Sequence, residues 1–414
     1  MSKKNNRIIF FFDFIFIPKP TTANPMVLNK KLHSGLTEKI GNFSTEILYF
    51  TSQLQTKGEN LIMSPITVWT VLAVIAEGAE DETLKEISHA IRVLPKAKDR
   101  IRAEYQNLAR WLLVNTSTVE LQKFNALFVD ECNYPLQDFQ DAAKKYDTRM
   151  ISVNFTESDR TAKRINMVID AVTHGRIPQI ITSEDLVNSN LLLASALYFK
   201  GQWTHPFNSS QTMKQNFFDS DGKKIGEVNM MFNRYTYPFA NINDLQAKVL
   251  ELPYGAENRL SMLIMLPNQG VTLNQMFYNL GKITLDAVFN ELKVAADQYS
   301  EDEVDCFLPR FKVESNLNLN DALSRMGIYD LFNARKARLP FMTRVPVYVS
   351  KMIHKAEIEV TEEGTTASAV TAAEFSNRIG VIRFEANRPF CFLIVEKVTN
   401  SIAFGGVYQT PTLF

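Results

Sequence analysis

The residues able to do chemistry are few and scattered. The five histidines stand at positions 33, 89, 174, 205 and 354, and the three cysteines are Cys132, Cys306 and Cys391. There is no H-E-x-x-H and no pairing of cysteine with histidine at ligand spacing, so no metal site is expected. G-x-S-x-G, a P-loop and G-x-G-x-x-G are all absent, which leaves an enzyme hypothesis without a constellation to rest on. His354 reads as a satisfied core histidine rather than a catalyst. What stands out instead is a stretch near the C-terminus, EEGTTASAVTAAEFSNRIGVIRFEANRPF, Glu362 to Phe390. Arg378 and Arg383 are the basic residues before Asn387.

From Thr365 onward the stretch is built of small side chains that tolerate both a solvated loop and a strand. Strand side chains alternate between faces. Thr365, Ala367, Ala369, Thr371 and Ala373 would therefore share one face, and Thr366, Ser368, Val370, Ala372 and Glu374 the other. The first set is uniformly small and uncharged, as a core-facing row must be, since burying a charge there would cost several kcal/mol. Gly364 just before it is free of the Cβ restriction on φ and makes a plausible pivot. The plainer reading of the stretch is a flexible Ala/Thr linker.

Three motifs argue for more than a linker. They are this stretch, NLIMSPITVWTVLAVIAEGAEDETLKEI (Asn60 to Ile87), and LLLASALYFKGQWTHPF (Leu191 to Phe207). Together they resemble the serpins, the serine-protease-inhibitor superfamily, and the resemblance runs from about residue 35 to 411. It implies an α+β serpin fold: one domain of three β-sheets with about nine helices and an exposed reactive-site loop, here about residues 362 to 386. In inhibitory members the residue before the scissile bond lies fourteen positions after the hinge glycine, which from Gly364 gives Arg378. The implied reactive bond is Arg378 to Ile379, with Arg383 the less favoured bait. Glu362, Glu363, Gly364, Thr365, Thr366, Ala367, Ser368 and Ala369 would form the hinge.

The mechanism so implied is suicide inhibition of trypsin-like serine proteases. The protease acylates at Arg378, the loop inserts into the main sheet before deacylation, and about fourteen residues at roughly 3.3 Å each carry the tethered enzyme some 46 Å. A non-inhibitory serpin acting as carrier, chaperone or storage protein is the alternative. The small hinge residues speak against it, because such members commonly carry bulky, charged or proline residues there.

Several elements must position this loop. Residues 35 to 57 read as an amphipathic helix with Ile40, Phe43, Ile47, Leu48, Phe50 and Leu54 along a stripe. Ser64 and Pro65 are a natural helix start, and the helix that follows is apolar nearly all round, hence central. The pattern from Glu120 to Phe155 alternates strand, helix and strand, and a helix then ends at His174 and Gly175. By the resemblance, that helix lies across the main sheet and yields on insertion, and Trp203 stands at the top of the sheet where insertion begins. The family usually has Asn at the position of Ser195, bonded near Ser64 and to a His matching His354. A hydroxyl cannot replace an amide's two donors and acceptor, so rewiring through water is expected.

The 414 residues carry 45 basic and 45 acidic side chains, so no global field draws the chain to nucleic acid or a membrane. A monomer is expected. Lys3, Lys4 and Arg7 precede the apolar run Ile8 to Ile17, interrupted by Asp13, and Ala23 offers a cleavage point. Residues 1 to 23 are accordingly expected to be a signal peptide, residues 24 to 34 a flexible segment, and the protein secreted, with an intracellular location as the alternative. Sequons at Asn42, Asn115, Asn154 and Asn208 would matter in that pathway. Cys306 and Cys391 sit in apolar runs and are expected to be buried free thiols. Lys96, Lys98, Arg100, Arg102 and Arg110 occupy a helical region that binds sulfated polysaccharide in some serpins. Asp99 and Glu104 interrupt the cluster, so a solvated face is preferred and no cofactor is expected.

Overall fold

The computed structural model describes residues 35–364 and 381–414, except positions 57, 174, 176, 188, 300 and 301. The N-terminal segment, the reactive bond Arg378 to Ile379, and hinge residues Thr365 to Ala369 lie outside the described residues.

The chain begins with α1 (Gly35–Leu54), whose buried side carries Ile40, Phe43, Ile47 and Leu48, while Leu54 falls at its exposed end. Strand β1 (Leu61–Met63) leads into α2 (Pro65–Gly78), buried along almost its whole length as its apolar sequence requires. Then follow α3 (Asp81–Ala90), α4 (Lys98–Trp111), β2 (Val114–Asn115), β3 (Val119–Asp130), α5 (Gln137–Lys145), β4 (Arg149–Val153), α6 (Ser158–Val172) and β5 (Leu191–Gly201). A second half contributes β6 (Met213–Phe218), β7 (Lys224–Tyr235), β8 (Phe239–Ile242), β9 (Ala247–Tyr254), β10 (Leu260–Pro267), α7 (Leu273–Leu280) and α8 (Leu285–Gln298). It closes with β11 (Val304–Pro309), β12 (Phe311–Asn318), α9 (Asn320–Arg325), β13 (Lys351–Val360), β14 (Ile382–Glu385), β15 (Phe390–Glu396) and β16 (Ser401–Tyr408).

Among the described residues these make nine α-helices and three sheets in one α+β domain. One sheet runs β1-β16-β15-β10-β9-β8 and a second β14-β11-β7-β6. The third, the main sheet, runs β12-β13-β5-β3-β2, with β4 also on β3. Because strand residues alternate, each main-sheet strand feeds two cores. Leu127, Leu193 and Met352 join the large core around α2, whereas Phe128, Ala194 and Ile353 join a smaller one closed by Ile165 and Ile169 of α6. Helix α6 thus covers one face of β3 and β5.

Candidate functional site: the cleft between β13 and β5

Strands β13 and β5 are parallel neighbours, paired from Lys351 with Leu192 up to Ala356 with Leu197, and there their pairing stops. Each strand continues upward with its outer partner: β12 pairs β13 as far as Phe311 with Val360, and β3 pairs β5 as far as Val119 with Gly201. The sheet is therefore split at its upper end into two intact halves.

The segment after β13 bridges the mouth of this split. Gly364 pairs antiparallel with Thr361 on one side and with Gln202, just past β5, on the other. Thr361 N–H donates to the Gly364 oxygen at 2.8 Å, and Trp203 N–H to the Glu363 oxygen at 2.9 Å. The Trp203 indole N–H donates to the Thr361 oxygen at 2.9 Å, and the ring stacks on Tyr254 with centroids 4.2 Å apart. The Glu362 carboxylate accepts from the Thr212 hydroxyl at 2.7 Å and lies 3.7 Å from Arg310, whose Nε donates to the Phe414 main-chain oxygen at 2.6 Å. Burial pushes the Glu363 carboxyl upward, with the neighbouring charge of Glu362 adding to it. Of the expected hinge residues, Glu362, Glu363 and Gly364 are thus placed at the mouth beside Trp203.

Lower down, the two halves are held by a buried polar contact. His354 and Ser195 are directly opposite in the β13–β5 ladder, and Ser195 Oγ lies 2.7 Å from His354 Nδ1. Ser64 N–H donates to His354 Nε2 at 2.8 Å. Nε2 must therefore be the unprotonated nitrogen, which leaves the proton on Nδ1 to be donated to Ser195. Complete burial lowers the His354 pKa to about 3, so the imidazole is neutral. The expected water bridge is not needed, because the shorter hydroxyl reaches His354 directly. Ser64 and Pro65 do open α2 as expected, though the Ser64 hydroxyl makes no capping bond and its backbone N–H is the group that meets His354.

A residue the sequence reading passed over belongs to the same row. Asn125 faces Ser195 across the β3–β5 ladder, is 2% exposed, and has no partner for either amide atom among the described residues. An amide among the core-facing residues of ELQKFNALFVD was the signal available. A buried, unpaired amide costs about 1–3 kcal/mol.

Beyond the cleft, Arg383 lies in β14, opposite Asp305 of β11, with its guanidinium 4.4 Å from the centroid of Phe307. The next residue, Phe384, is fully buried. A protease cannot lay the Arg383–Phe384 bond into its active site without stripping this strand from the sheet. Cys306 and Cys391 are buried free thiols, their pKa raised by burial, while Cys132 is exposed. On α4, Arg102 pairs with Glu77 and Asp99, and Arg100 with Glu104, so two of the five cations are met by acids. Asn154 and Asn208 lie in turns closed by their own side chains, Asn115 is exposed, and Asn42 stands within α1.

The family model for Serpin (serine protease inhibitor) matches residues 38–411. The chain belongs to the serpin family. Human Serpin B3 is 33% identical over 379 residues, covering 86% of this chain and 95% of that protein. Leukocyte elastase inhibitor of Xenopus tropicalis is also 33% identical, over 384 residues, covering 91% of this chain and 100% of its own. The structure of human thyroxine-binding globulin with thyroxine superposes with a TM-score of 0.78 at 25% identity, covering 91% of this chain and 98% of that one. Serpins as a family are protease inhibitors rather than enzymes, and a serpin's partners are serine proteases.

Proposed function

We propose that this serpin is a suicide inhibitor of trypsin-like serine proteases, with Arg378–Ile379 as the reactive bond and Glu362 to Ala369 as the hinge. The observation that carries the reading is the double pairing of Gly364 at the mouth of the split sheet. Continuing its pairing with Thr361 down β13 puts Thr371 opposite His354, and continuing its pairing with Gln202 down β5 puts Thr371 opposite Ser195. Two independent ladders thus agree on one register. Extended in this way, both would put Thr365, Ala367, Ala369, Thr371 and Ala373 on the face of His354, toward α2, which supports the reading because small uncharged side chains fit there.

The new strand would be antiparallel to both neighbours, replacing a parallel pairing with two antiparallel ones, which are slightly more stable per residue. Serpin loop insertion is an established instance of stored strain released by cutting a loop. In this chain Ser195, Ser64, His354 and Trp203 would be the groups that part as the sheet opens. Arg378 is favoured over Arg383 because the latter's bond is embedded in a paired strand. We further infer that residues 1 to 23 are a signal peptide and that inhibition takes place outside the cell; the basic residues, apolar run and Ala23 support this.

Incubation with trypsin followed by denaturing electrophoresis tests the mechanism. A covalent complex that survives SDS is expected. Clean cleavage with no complex would favour a non-inhibitory carrier.

A further inference from the structure

Three polar side chains stand in a row across the main sheet, on the face toward α2: His354 on β13, Ser195 on β5 and Asn125 on β3. In the closed sheet the row is incompletely satisfied. Ser195 Oγ accepts the Nδ1 proton of His354 at 2.7 Å. The structure gives that hydroxyl this one side-chain contact, and across the next ladder neither amide atom of Asn125 has a partner among the described residues. Ser195 and Asn125 thus face each other from paired positions and are not joined in the closed sheet, where the Ser195 oxygen is turned toward His354.

We propose that Asn125 is a positioning residue of the expanded sheet. When a new strand separates β13 from β5, Ser195 turns from His354 to Asn125 and donates its hydroxyl to Oδ1. This rests on the insertion mechanism proposed above. A strand placed between them moves His354 and Ser195 from about 4.8 Å strand spacing to twice that, beyond hydrogen-bond reach. The pairing of β3 with β5 does not change, so Asn125 stays beside Ser195 throughout. The closed sheet orphans a buried amide and the opened sheet satisfies its oxygen, so Asn125 tilts the balance toward insertion.

The test compares intact protein with protein nicked in the loop by papain, using calorimetry on wild type, Asn125→Leu, Asn125→Thr, Ser195→Ala and the double variant Asn125→Leu/Ser195→Ala. Asn125→Leu, near in volume and apolar, should raise the melting temperature of the intact form by a few degrees and shrink the gain that nicking brings. Asn125→Thr, which keeps an acceptor opposite Ser195, should restore part of that gain. Asn125→Leu and Ser195→Ala should add in the intact form but not in the nicked one. With trypsin, Asn125→Leu should need at least twofold more inhibitor per enzyme inactivated. A wild-type gain left untouched by Asn125→Leu, or additivity in both forms, would overturn the role of Asn125 alone. Absence of any gain in the wild type would overturn insertion itself and this proposal with it.

Discussion

Gly364 is packed against Gly201 so closely that a Cβ on residue 364 would overlap the Gly201 carbonyl oxygen and come within 2.7 Å of Gln202 Cα and Trp203 N. Its φ of +118° is one that L side chains rarely adopt. Gly364→Ala should therefore unseat the hinge from the mouth of the cleft. We expect a loss of about 1–3 kcal/mol of intact-state stability, read by thermal melting, together with weaker trapping of trypsin. An unchanged melting temperature would mean that the hinge is not anchored there.

Arg378→Ala should abolish inhibition of trypsin and leave the melting temperature of the intact protein unchanged, because the lost interaction lies in the protease pocket. Arg383→Ala should leave the inhibition rate within about twofold, its guanidinium being spent on Phe307 and Glu385. Mass spectrometry of the denatured reaction products should find a fragment beginning at Ile379. One beginning at Phe384 would transfer the bait to Arg383.

Thr365→Arg should turn the inhibitor into a substrate. On the proposed insertion, the register of Gly364 would bring residue 365 between Val360, which is buried, and Gly201, where even a Cβ would meet Phe199 and Tyr254. An arginine has neither room nor a partner in that slot, and an unpaired buried charge costs several kcal/mol. Acylation should persist while insertion slows, so electrophoresis should show cleavage at the same bond without a stable complex. Trapping at wild-type stoichiometry would refute the register.

His354 predicts a pH dependence. Its pKa of about 3 lies below the ordinary histidine value near 6.5, so the unfolded chain binds a proton more readily than the folded one. Its contribution is complete above pH 6.5 and is lost as pH falls from there toward 3, with roughly 2 kcal/mol gone by pH 5. Denaturant titrations at pH 7.5 and pH 5 should show that loss in wild type. In His354→Gln, less stable at both values, this part of the slope should vanish.

Much of this arrangement was legible in the sequence because it rests on local rules. The all-apolar helix after Ser64 and the buried strands around Cys391 each follow from periodicity and side-chain size. What escaped was set by pairing between distant strands. Nothing near Asn125 announces that it will stand beside Ser195, seventy residues on in a different strand. Thr212 and Arg310 likewise look like ordinary polar residues until the fold carries them to Glu362. The helix does start at Ser64 and Pro65 as expected, but that His354 on β13 would accept the Ser64 backbone N–H is likewise a matter of distant pairing.

The placement of β14 immediately after the loop has a further consequence. The three strands between Ile382 and Tyr408 are woven into two sheets, with β14 against β11, and β15 and β16 within another. Cutting the chain at Arg378 therefore cannot shed a peptide. The product should be a two-piece protein held together by strand pairing and burial, travelling as one particle through gel filtration and coming apart only when unfolded. With the loop inserted as proposed, the two new chain ends would part by the length of the inserted strand without any piece leaving the molecule.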